Sequence, residues 1–76
     1  GPSARVIDNI ISKKLVLKYK SDSISDDKLY NLISKGRVRF NKSEIRNEPC
    51  AIYYVESGDL NLLIENCEDQ ALVEFK

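Results

Sequence analysis

Two cysteines, Cys50 and Cys67, are the residues whose type and spacing most directly suggest chemistry. They lie at the outer ends of two β-rich runs that the pair Gly58-Asp59 separates. A two-residue turn there places Ser57 opposite Leu60, and counting outward along both runs places Cys50 opposite Cys67. The pair falls at a non-hydrogen-bonded position, where Cα atoms are roughly 4.5 Å apart, so a cross-strand disulfide is sterically allowed. Two buried thiols satisfy the same register.

A second candidate site is a cluster of cations on and after a strand that we predict over residues 37–41. Alternation along this strand directs Val38 and Phe40 to the core, and it directs Arg37 and Arg39 outward. Such cations suit a solvated sheet edge, where charge discourages pairing with another chain. They also suit contacts with the phosphates of RNA, with an aromatic ring available for base stacking. The residues of this RNA interpretation are Arg37, Arg39, Lys42, Arg46 and Tyr54.

The composition excludes several classes of function. The chain has no histidine, the usual general base and a common metal ligand, and two cysteines cannot supply the four ligands of a structural zinc site. Three glycines form no phosphate-binding loop. We therefore assign no catalytic residue, no metal and no cofactor. Twelve basic and twelve acidic residues balance, so nothing attracts the whole chain to nucleic acid, and no apolar run is long enough for a membrane span.

Three β-rich runs at the C-terminal end predict an antiparallel meander. The turn pairs Gly58-Asp59 and Glu68-Asp69 separate the runs, and each pair predicts its own register. The two registers agree on a single apolar face, whereas a slip of one residue in either hairpin would break it. That first face contains Ala51, Tyr53, Val55, Leu60, Leu62, Ile64, Ala71, Val73 and Phe75.

The opposite side of the meander is also partly apolar. What we call the second face carries Ile52, Tyr54, Leu63 and Leu72 among Glu56, Asn61, Glu65 and Glu74. One interpretation is that an N-terminal helix covers part of this face. The other is that the face binds a protein partner or a second copy of the chain, because an exposed apolar patch bordered by charge is typical of interaction surfaces.

Two helices and a short strand precede the meander. Residues 4–14 carry one apolar stripe, residues 15–20 alternate as a strand, and Ser25 is a good N-cap for a second helix that Gly36 ends. We expect this second helix to bury Leu29, Leu32 and Ile33. Gly1 to Ser3 match a cloning scar, so residues 4–76 form a single domain. The predicted fold class is α+β: an antiparallel four- to five-stranded sheet, with the C-terminal meander, and one or two helices packed on it.

Short motifs across residues 15–75 resemble a bacterial domain family of unknown function. They are Ile24-Ser25, Gly36 with Val38, Lys42-Ser43, and Pro49-Cys50 followed by Tyr53. The family pattern reads His-Ala-x-x-Arg, Ile-Ser, Gly-x-Val, Lys-Ser and Pro-Cys-x-x-Tyr. Its fold is similar to that of small RelE-like ribonuclease toxins, so the resemblance implies an α+β scaffold. The His-Ala-x-x-Arg segment is absent here, and no role assigned to it transfers.

Two functions are consistent with these features. The first is a non-enzymatic interaction or accessory domain of bacterial origin, binding a protein partner or a second copy. The alternative is a toxin-like domain that binds or cleaves RNA with Arg, Lys and Tyr in place of His. Reduced cysteines would suit the cytoplasm, and a Cys50–Cys67 bond would suit a periplasmic or secreted protein. We expect no membrane association.

Overall fold

The computed structural model describes residues 1–20 and 23–76. In chain order, its helices and strands are α1 (Pro2–Ile11), β1 (Lys14–Leu17), α2 (Asp26–Ser34), β2 (Arg37–Val38), β3 (Ala51–Ser57), β4 (Leu60–Asn66) and β5 (Gln70–Phe75). A 3₁₀ helix (Phe40–Lys42) follows β2. The predicted α+β class is confirmed, and α1 starts and ends earlier than the sequence pattern indicates.

The five strands form one sheet in the order β1-β5-β4-β3-β2. Neighbouring strands are antiparallel except β1 and β5, which are parallel, with Val16 beside Leu72. The predicted meander registers are confirmed: Tyr53 pairs with Ile64, and Ile64 pairs with Val73. β1 precedes the meander in the chain and lies at the edge of the sheet, beside the last strand of the meander, β5.

The residues in the turns explain why the register of the meander can be predicted from the sequence. Gly58 opens the β3–β4 turn with φ 60°, a left-handed conformation that glycine adopts without steric cost. Asp59 has a negative φ, which is the pattern of a two-residue hairpin with glycine first. In the β4–β5 turn, the Cys67 N–H donates to the Gln70 carbonyl at 2.9 Å.

Both helices pack on the first face of the sheet. Ile7 and Ile10 of α1 and Leu29 and Ile33 of α2 share one buried cluster with sheet residues Val38, Val55, Leu62, Ile64, Ala71 and Val73. The interpretation that the N-terminal helix covers the second face is therefore wrong. The predicted apolar stripe of α1 is confirmed, but it joins the same core as α2 on the first face.

The second helix is held at both ends by polar contacts. The Ser25 hydroxyl accepts a hydrogen bond from the Lys28 N–H at 3.2 Å, as expected of an N-cap. Near the other end, the buried Ser57 hydroxyl of β3 donates to the Leu32 carbonyl at 2.6 Å. Leu32 itself is buried, as predicted. The first contact stabilises the start of α2, and the second joins the helix to β3.

The strand predicted over residues 37–41 is shorter than expected. It ends at Val38, and Phe40 begins the 3₁₀ helix with 39% of its surface exposed, so the prediction that Phe40 faces the core is wrong. The Ser43 hydroxyl explains the change. It accepts from the Tyr54 N–H and donates to the Arg39 carbonyl, both at 2.8 Å, and so takes the place of a further ladder residue. Lys42-Ser43 thus has a structural role at the edge of β3.

Candidate functional site

Cys50 and Cys67 form a disulfide across the β3–β4 hairpin. Their Cα atoms are 4.6 Å apart, in agreement with the distance predicted for a non-hydrogen-bonded pair. Both residues are half-buried, and a groove of about 490 Å³ beside Pro49 and Gln70 opens onto them. The predicted register and the opposition of the two cysteines are therefore confirmed. The alternation of side chains places the disulfide at one corner of the second face.

The second face has no helix packed on it among the described residues, since both helices belong to the core of the first face. Ile52, Tyr54, Leu63 and Leu72 are all half-exposed there. Val16 joins them, because β1 lies beside β5 with Val16 next to Leu72. Sequence reasoning missed Val16: alternation along residues 15–20 separates it from Leu15 and Leu17, but no turn links β1 to the strand it pairs with.

Lys18 is the centre of one group of charges on this face. Its Nζ atom lies 2.9 Å from the Glu65 carboxylate and 3.8 Å from that of Glu74. The hydrogen bond and the attraction from Glu65 raise the pKa of Lys18 above its ordinary value of 10.5. Since the side chain is exposed, the energetic value of this contact is small. Lys18 balances one of these two carboxylate charges, and the Lys76 Nζ atom lies 3.8 Å from the Glu74 carboxylate.

The predicted basic cluster is brought together only in part. Arg39 donates from Nη1 to the Glu56 carboxylate at 3.0 Å, and Lys42 places its Nζ atom 5.0 Å from the centre of the Tyr54 ring. Arg37 pairs with Glu56 in the β2–β3 ladder and so shares the second face. Arg46 lies in the exposed loop beyond the 3₁₀ helix. The cations thus follow the β2 edge of the second face, and Lys42 already covers the ring that was predicted for base stacking.

No group of three or more acidic or cysteine side chains comes together in residues 1–20 and 23–76 to hold a metal ion. Within the same residues, no helix has the length and apolar character needed to cross a bilayer.

Comparison with known proteins found no matching family model, no matching curated protein and no matching solved structure. The functional interpretation therefore depends on the geometry of this chain.

Proposed function

We propose that this protein is a non-enzymatic interaction or accessory domain of bacterial origin, built on a RelE-like scaffold, whose protein partner binds the second face. The observation that carries the proposal is the uncovered sheet. Five apolar side chains on it are only partly buried, although both helices pack elsewhere: Val16, Ile52, Tyr54, Leu63 and Leu72.

The stability of the fold does not explain these apolar residues. The first face already buries the core of the domain, with Val55, Leu62, Ile64 and Val73 fully inaccessible. In an antiparallel sheet with one solvated face, residues along each strand alternate, so that the solvated face carries mainly polar side chains. Apolar residues on adjacent strands, bordered by charge, are typical of a surface that another molecule covers.

The disulfide supports an oxidising location for this function, periplasmic or secreted. It also holds the corner of the second face where β3 begins, next to Ile52. The partner would therefore bind a surface in which the β3–β4 hairpin is fixed by the disulfide at one end and by the Gly58 turn at the other.

A charge introduced at the centre of the second face tests the proposal. Leu63→Glu should abolish capture of the partner from an extract of the source organism, because a carboxylate would have to be desolvated in the contact. Leu60→Glu is the matched control: Leu60 is 42% exposed, is the first residue of β4 after the turn, and projects from the other side of that strand. Capture of the same protein by wild type and Leu60→Glu, and not by Leu63→Glu, is the expected result. Equal capture by all three would contradict the proposal, as would a wild type that captures nothing and stays monomeric.

The alternative is an RNA-binding or RNA-cleaving domain. The proximity of Lys42 to Tyr54, with Arg37 and Arg39 along the same edge, is the observation that favours it. Against it, Arg39 is already neutralised by Glu56. RNA binding would weaken steeply with salt. Absence of binding and of cleavage at low salt would exclude this alternative.

A further inference from the structure

Charges on the second face are sorted by strand. Cations lie on its two outer borders: Lys14 and Lys18 along β1, which we call the β1 rim, and Arg37, Arg39 and Lys42 along β2 and the turn after it, the β2 rim. Carboxylates lie on the three inner strands, at Glu56, Glu65 and Glu74. Lys76, at the end of β5, is the cation outside this pattern.

The inner carboxylates are already paired, and this leaves cations without an acidic partner at the rims. Lys18 pairs with Glu65 and approaches Glu74, Lys76 also lies beside Glu74, and Arg39 pairs with Glu56. Among the described residues, Lys14, Arg37 and Lys42 form no ion pair, and Lys14 lines a groove that Asp26 and Asp27 also line. Because strands lie about 4.8 Å apart, four steps of the sheet separate the two rims by about 19 Å. The surface offered to a partner is thus an apolar centre between two positive borders.

This arrangement disfavours a second copy of the chain as the occupant. A face-to-face dimer has its twofold axis in the plane between the two sheets. An axis along the strands places the β2 rim of one copy over the β1 rim of the other, and an axis across the strands places each rim over its own equivalent. Both orientations bring cations against cations, and the inner carboxylates that could compensate are already occupied.

The apolar centre disfavours RNA. Four of its five side chains are aliphatic, and the fifth, Tyr54, is covered by Lys42. Binding of single-stranded RNA depends on aromatic faces for its bases, which this centre does not offer. Aliphatic side chains bordered by cations match a protein surface of opposite charge more closely.

We infer that the partner of the second face is an acidic protein surface, with an apolar centre and carboxylates about 19 Å apart that meet the β1 and β2 rims. This inference rests on the proposed function and specifies the chemistry of its partner. The carboxylates steer the encounter and set the orientation, while the apolar centre supplies the desolvated contact.

The test uses a random copolymer of glutamate and tyrosine as the probe, with polyglutamate and poly(U) RNA as comparisons. Backbone amide shifts are followed by NMR in the wild type, in Lys14→Glu/Lys42→Glu, and in Lys28→Glu/Lys35→Glu. The last pair is the matched control, because it makes the same change of net charge on the exposed side of α2. Far-UV circular dichroism checks that all three are folded.

The copolymer should shift amides of β3, β4 and β5 in the wild type and bind more tightly than polyglutamate, which lacks the apolar contact. The rim variant should bind roughly tenfold more weakly and the control variant nearly as wild type, with affinity falling as salt screens the rims. Equal weakening in both variants, shifts confined to the helices, or tighter binding of poly(U) would overturn the inference. If the inference fails while Leu63→Glu still abolishes partner capture, the proposed function stands with a partner of different chemistry.

Discussion

Gly36 tests how tightly α2 and the sheet approach each other. A Cβ atom added there would lie 2.6 Å from Cγ1 of Val55 and 3.2 Å from the carbonyl oxygens of Ile33 and Glu56. Val55 is fully buried and cannot move outward. Gly36 directly follows Lys35, the C-cap of α2, so the prediction that it ends this helix is confirmed. Gly58 is the glycine with positive φ, so Gly36 is required for close packing and not for a left-handed backbone.

Gly36→Ala should therefore destabilise the domain. Overpacking a core costs about 1–3 kcal/mol, and the smaller unfolded-state entropy of alanine returns about 0.4–1 kcal/mol. We expect a net loss of about 1–2 kcal/mol, against a total stability of about 4–11 kcal/mol for a chain of this length. Urea unfolding followed by far-UV circular dichroism measures the loss as a lower midpoint at an unchanged m-value.

A double-mutant cycle with Val55→Ala identifies the cause. Val55→Ala removes the clashing methyl group and by itself costs about 2 kcal/mol, through lost burial and a cavity. In that background Gly36→Ala should cost about 1 kcal/mol less than in the wild type. Gly58→Ala is the control: its Cβ meets nothing within 4 Å, so its cost, which arises from φ 60°, should not depend on Val55. Additivity of Gly36→Ala and Val55→Ala within about 0.5 kcal/mol would refute the steric reasoning.

Two further measurements probe the disulfide and the charges of the second face. The double substitution Cys50→Ala/Cys67→Ala should lower the free energy of unfolding by about 3 kcal/mol, since the bond closes a loop with a sequence separation of 17. Reductant should lower the stability of the wild type by a similar amount and leave that of the variant unchanged. Free thiols detected in the unreduced, denatured wild type would contradict the bond. Glu65→Gln should lower the raised pKa of Lys18 toward 10.5, as seen by NMR titration of its Nζ group. Because this pKa is raised in the folded state, the contact stabilises fully below pH 10.5 and is lost as pH rises through the folded value. An unchanged Lys18 titration in the variant would show that Glu65 is not the cause.

Much of the meander and the geometry of the cysteines could be predicted from the sequence, because both depend on local chemistry. Gly58 at a two-residue turn and strict alternation on either side determine which residues face each other, and Cys50 and Cys67 then follow by counting. The N-cap at Ser25 is similarly local, since it involves a hydroxyl and an N–H three residues away. The second face was predictable for the same reason.

The long-range arrangement was decided by the tertiary structure. Both faces of the meander carry apolar residues, so the stripe of α1 was compatible with either, and only packing against α2 placed Ile7 and Ile10 on the first face. The parallel pairing of β1 with β5 joins segments more than fifty residues apart with no turn to signal it, and it alone brings Val16 and Lys18 to the second face. The sequence by itself determined the hairpins, the Ser25 cap and the face on which each residue of the meander lies, because these are settled between near neighbours. Which face remained open, and the cations that border it, depended on contacts that exist only once the whole chain is packed.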